Sequence, residues 1–459
     1  MRRVGTLSSC LLSLALGWSC SSAVEAPPAP TGAILFEGAR LIVGDGTFIE
    51  NAAFLVEGSR FNRVGRGGEI QLPDGVARID LTGKTVMPAL IDGHGHLGYT
   101  NARNGTRTWE NYTRENLIES MQRAAYYGIG VHVSMGNDGG HVELPWRLQE
   151  EDIPNGARWI TVGGGISTPG GGQGGARENS WTKVTTEEEA RQAVRELVPH
   201  QPVYVKIWVD DRAGTVEAMP EPLYRAVIDE AHQHNLRVIA HTTRLKDSKE
   251  LLRAGVDGFA HMIRDREHEV DDEFIELAGN RPGLFVTPIL PPQGDGDPGY
   301  TEEDLPWIGE TLPPSQIQGM REALANPDPE PDRYTRGEES FSVQARNLVK
   351  LKAAGVIIGM GTDSGAGWTA HTELADMIAA GMTPAEVIVA ATKNMADILQ
   401  IDDIGSVAEG NVADFIVLDA NPLQDITNTR RISQVYLRGK EVDRGAVRAR
   451  LTSEVPATD

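Results

Sequence analysis

Between residues 86 and 400 short apolar runs alternate with amphipathic stretches, and no other feature of the chain restricts its architecture as strongly. Apolar segments of strand length fall at 86–91, 129–134, 159–162, 203–209, 238–240, 258–260, 284–287 and 356–360. Helical periodicity fills 115–127, 187–197, 223–234, 249–254 and 345–353 between them. Strands that alternate with helices pair in parallel, and eight of them is the number that closes a (β/α)8 barrel. A doubly wound open sheet is the alternative that the count leaves open.

The two ends read differently. Residues 33–85 and 404–446 carry short alternating apolar runs separated by Gly-rich turns, such as Ile34-Leu35-Phe36 before Gly44-Asp45-Gly46, and Phe415-Ile416-Val417-Leu418 near the end. They predict a small β-sandwich built from both ends around a barrel at 86–403. Ahead of them, 1–26 reads as an export signal: Arg2 and Arg3, an apolar run through Leu11, Leu12, Leu14 and Leu16, then small residues to Ala26. The expectation is a periplasmic or secreted protein without a transmembrane span, or a lipoprotein attached through Cys20. Both cysteines, Cys10 and Cys20, fall in that segment, so the body holds no disulfide, thiolate site or Cys nucleophile. With 65 acidic against 43 basic residues and a net charge of −22, the chain repels nucleic acid and anionic lipid.

Polar residues gather at the strand ends. The first strand runs into Ile91-Asp92-Gly93-His94-Gly95-His96, the fourth contains Lys206, the fifth ends in His241, the sixth in His261 and the eighth in Asp363. A single histidine at a strand end is usually an ordinary rim or core residue. Several strands supplying imidazoles, with an acid beside them, make metal-site chemistry, because barrel strands end on one face around one axis. Alternation places Val205 and Ile207 against the helices and turns Lys206 inward. A buried ammonium beside two cations is strongly disfavoured, which leaves a neutral amine, a carbamate bridging two metals, or a lysine reaching up to solvent.

Gly83-Lys84-Thr85-Val86-Met87-Pro88-Ala89-Leu90-Ile91-Asp92-Gly93-His94-Gly95-His96-Leu97 and the later Gly410-Asn411-Val412-Ala413-Asp414-Phe415-Ile416-Val417-Leu418 resemble the amidohydrolase superfamily of metal-dependent hydrolases. The likeness extends over roughly 33–445 and is greatest to the branch of imidazolonepropionase-like proteins and Xaa-Pro dipeptidases. Ala89 stands where the family usually has glycine. The resemblance implies that His94, His96 and Asp363 hold one divalent metal, that His241 and His261 hold a second, and that carboxylated Lys206 bridges them, zinc being the expected ion. It further implies hydrolysis of an amide-type C–N bond by a metal-bridging hydroxide, with Asp363 as general base and acid.

Other motifs are weaker. Gly170-Gly171-Gly172-Gln173-Gly174-Gly175 matches a dinucleotide fingerprint literally, but no helix signal follows until Thr185-x-x-Glu188, so it reads as a mobile loop over the barrel mouth. Gly83-Lys84-Thr85 mimics the end of a phosphate loop, yet Arg78 replaces the first glycine. Residues 291–340 form a Pro-rich insert. Tyr99, Arg244 and Arg264 each lie three residues beyond an expected ligand and are candidate substrate contacts, the arginines as grips for a carboxylate. His132, His141 and His371 are secondary candidates.

The sequence therefore predicts an exported binuclear amidohydrolase for small dipeptide-like or N-acyl amino acid substrates, possible as a homo-oligomer and without a nucleic-acid partner. Cyclic amide or lactone hydrolysis, a mononuclear deaminase and a non-catalytic metal-binding barrel are the alternatives.

Overall fold

The computed structural model describes residues 32–72, 75–141, 143–212, 214–265, 268–290, 299–326 and 331–453, with the backbone alone at 331–336. The expected export signal, Cys10 and Cys20 lie outside the described residues, as do 291–298 and 327–330 of the insert.

Leu90–Gly95, Ile129–Ser134 and Arg158–Thr161 form one parallel set. Ile166–Ser167, Val205–Trp208, Val238–His241, Gly258–Phe259, Phe285–Val286 and Ile357–Ile358 form a second, with Thr182–Lys183 at its edge. Gly163-Gly164-Gly165 interrupts the third strand: its first half pairs with Ile129–Ser134 and its second with Val205–Trp208. Gly93 N donates to Met360 O at 3.0 Å and His96 N to Ser364 O at 3.2 Å, joining the last strand to the first. This α/β arrangement is consistent with a (β/α)8 barrel. Intervening helices start where side chains cap them: Thr113 accepts from Asn116 N, and Thr186 with Glu189 forms a capping box. That box lies one residue beyond the Thr185 and Glu188 pair suggested by the sequence.

The expected first strand at 86–91 is two strands. Thr85–Pro88 belongs to the sheet of the chain ends, and Leu90–Gly95 to the barrel. Ala89 is the joint, its N bonded to Asp414 O at 3.0 Å while Leu90 N turns to Gly128 O at 2.9 Å. An uninterrupted apolar run carries no mark of such a transfer between sheets. The Pro-rich insert contains the helices Leu305–Ile308 and Pro314–Ala325 and the start of Pro331–Ala353. Its prolines fit because the first turn of a helix has no use for the missing N–H.

Strands from both chain ends join in one eight-stranded sheet, in which Phe415–Leu418 pairs antiparallel with Thr85–Pro88. Its core is aromatic: Phe36 stacks on Phe54 with centroids 5.0 Å apart, Phe415 stacks on Tyr436 at 4.6 Å, and Phe61 closes the group. Among the described residues no helix is long and apolar enough to cross a membrane.

Candidate active site

The strand ends bring the widely spaced polar residues together. Oδ1 of Asp363 lies 2.7 Å from His96 Nε2 and 3.6 Å from His94 Nε2. Ligating atoms of these three residues all fall within 4.8 Å of one another, close enough to share one cation. Ring contacts extend the cluster: His94 to His96 at 5.2 Å between centroids, His94 to His261 at 5.1 Å, and His261 to His241 at 4.5 Å.

Local structure explains this convergence. Gly95 separates the two histidines of the first strand, where a Cβ would fall on the His132 ring and the Ser364 carbonyl. Asp92 fastens the first strand to the last, accepting from His94 N at 3.2 Å, Thr362 N at 3.1 Å and Thr362 Oγ1 at 2.7 Å. Asp363 itself adopts φ 52°, a left-handed conformation uncommon for a residue with a Cβ, while its N donates to His94 O at 2.7 Å. The backbone thus aims the Asp363 carboxylate at the two imidazoles instead of letting it follow the strand.

Burial sets the electrostatics. Desolvation, reinforced by Lys206, holds His94 well below the ordinary imidazole range, and desolvation takes His96 to about 4, so both are neutral donors near pH 7. Burial likewise pushes Asp92 up to about 7. Lys206 is 1% exposed, and its Nζ has no hydrogen-bond partner. Its ammonium lies 5.5 Å from the Trp208 ring centre, and Gly165 leaves the space its stem and that ring occupy. Desolvation lowers the amine to about 7, which makes the neutral form accessible. Lys206 interacts electrostatically with His94, His96, His241 and Asp363, so all six expected ligands share one neighbourhood.

Several residues in this neighbourhood carry no periodic signal in the sequence. Asp210 faces His241 Nε2 at 3.5 Å and accepts from Thr243 Oγ1 at 3.0 Å, leaving the other imidazole nitrogen free to ligate. The Asn137 amide nitrogen lies 2.6 Å from His96 Nδ1 and fixes the orientation of that ring. Arg177 is buried and its Nη2 approaches His96 O at 3.5 Å. Only Asp210 had a visible clue, since it follows the end of the strand that carries Lys206.

The candidate substrate contacts take different positions. Tyr99 is fully buried and donates to Asn137 O at 2.8 Å, supporting the loop that holds His96. Arg244 is half exposed and paired with Asp211 at 2.7 Å. Arg264 is exposed and interacts electrostatically with His241 and His261. His132 packs behind Gly95, 3.4 Å from Asp92. His141 is stacked between Tyr112 and Trp109, whereas His371 is a satisfied core residue bonded to Thr429 Oγ1 at 2.9 Å and Tyr127 O at 2.8 Å. The glycine run is not a phosphate loop: only the short turn Gly175–Arg177 follows it, and Trp181 Nε1 pins Gln173 O at 2.9 Å.

The donor set suits divalent cations. Neutral buried imidazoles, a carboxylate and an unpartnered buried amine are costly together unless something positive binds the first two and the amine is neutral or modified.

The chain is similar to known hydrolases. The chain is 26% identical over 443 residues to ochratoxinase from Aspergillus niger, covering 87% of this chain and 84% of that protein. Its fold is similar to that of molinate hydrolase, with a TM-score of 0.72 at 21% identity over 93% of this chain and 98% of the other. It is also similar to a Xaa-Pro dipeptidase solved with methionine in its active site, with a TM-score of 0.66 at 22% identity over 89% and 99% of the two chains. The model of the amidohydrolase family matches residues 85–442, and the chain belongs to that hydrolase family.

Proposed function

We propose that this chain is a binuclear metal-dependent amidohydrolase that cleaves the amide bond of small N-acyl amino acid or dipeptide-like substrates. The observation that carries the reading is the gathering of His94, His96, His241, His261 and Asp363 around a buried lysine with no hydrogen-bond partner. The names of the similar proteins, an ochratoxinase and a Xaa-Pro dipeptidase, support the substrate class.

His94, His96 and Asp363 would hold one cation and His241 with His261 the other. Lys206 would bridge them as a carbamate, formed when the neutral amine attacks carbon dioxide and releases a proton. Two bound divalent ions, zinc first among the candidates, would supply an acidified water and a polarised substrate carbonyl. Asp363 takes the proton of the attacking water and returns it to the leaving nitrogen. Asp210 and Asn137 keep the His241 and His96 rings in orientation. In this reading the two-ended sheet is a small sandwich that supports the barrel, and residues 1–26 direct export of the enzyme.

Metal content per chain, measured with activity on a panel of N-acyl amino acids, dipeptides and lactones, tests the proposal. Two metals per chain, activity lost on chelation and restored by zinc, and turnover of the amides are expected. One metal with deamination, or hydrolysis untouched by complete chelation, would refute it.

A further inference from the structure

A second buried cation lies beside this cluster. Arg177 is 9% exposed and sits in the turn that ends the glycine-rich loop. Its buried Nε has no hydrogen-bond partner, and Nη2 makes only the long 3.5 Å contact with His96 O. Among the described residues no carboxylate forms an ion pair with it. Asp138 interacts with it electrostatically but is already engaged by Tyr112 OH at 2.7 Å, Ser134 Oγ at 3.0 Å and Thr161 Oγ1 at 2.6 Å. A guanidinium keeps its proton at neutral pH, so Arg177 remains a cation.

A buried, unpaired guanidinium is expensive, and folds retain one where an anion arrives to meet it. Here the surroundings fix its place. Ser180 Oγ donates to Arg177 O at 2.6 Å, Trp181 holds the preceding loop, and the charge interacts with both His96 and Asp363. Arg244, by contrast, already has its carboxylate in Asp211. A planar guanidinium fork matches a carboxylate in bidentate fashion. Building on the function proposed above, we infer that Arg177 binds the free carboxylate of the substrate and restricts the active site to amides that carry one.

The test compares metal-loaded wild type, Arg177→Met and Arg177→Lys on N-acyl amino acids and Xaa-Pro dipeptides, each beside its C-terminal carboxamide. Wild type is expected to favour the carboxylate forms. Arg177→Met should lose roughly 10- to 100-fold in kcat/KM on them, mainly through KM, with the carboxamides unchanged. Arg177→Lys, which keeps the charge without the fork, should fall between. Equal losses on both forms, or a wild type with no carboxylate preference, would overturn the role of Arg177 alone. The wild-type comparison requires no variant to fold. Failure to hydrolyse any of these amides would overturn the underlying function as well.

Discussion

The histidine cluster and the two-ended sheet both bury side chains, but to opposite effect. In the sheet, Phe36, Phe54, Phe61, Phe415 and Tyr436 are nearly inaccessible and pack together as an aromatic core, the one polar atom among their side chains, Tyr436 OH, donating to Glu441 at 3.2 Å. Around the cluster, His94, His132, Arg177 and Lys206 are also buried yet keep polar atoms without hydrogen-bond partners. One region is optimised for cohesion. The other holds groups that favour ligands over folding, the trade-off expected where a site is built into a stable frame.

That contrast can be broken most sharply at Asp363. Asp363→Asn keeps the shape but removes the proton acceptor, and a fall in kcat of roughly 10²- to 10⁴-fold is expected. Its thermal midpoint and most of its metal should remain; wild-type kcat would remove Asp363 from the chemistry. Phe36→Ala probes the other region. It should destabilise the fold by about 3–5 kcal/mol in denaturant titration, while kcat per folded molecule holds. A loss of kcat instead would mean that the sheet shapes the site. Lys206→Met has a smaller expected effect on stability than Phe36→Ala and the most telling sign. It replaces a buried unpaired amine with an apolar chain, so the metal-free protein should gain about 1–4 kcal/mol while metal content and turnover fall. Destabilisation of the metal-free variant would indicate that the amine has a structural partner.

Much of this architecture was legible in the sequence for a local reason. A strand followed by a helix leaves a pattern of period in the residues, and Ile129–Ser134 and Glu187–Leu197 fall where that pattern puts them. His94, His96, Lys206, His241, His261 and Asp363 stood out because each is a polar residue at or near the end of an apolar strand. The partition at Ala89 did not stand out, because the apolar run continues unbroken from Val86 to Ile91 and only the different neighbours of its two halves separate them. The helices of the insert were hidden behind prolines that serve as helix starts.

The sequence alone determined that strands and helices alternate and that imidazoles, a lysine and an acid fall on strand ends, since both follow from spacing along the chain. Tertiary structure alone decided which buried groups were left unpaired. Arg244 and Arg177 are the same residue type near the same barrel, but Asp211 neutralises one and no carboxylate among the described residues pairs with the other. Burial and pairing sum contacts from segments far apart in the chain, and no local pattern encodes that sum.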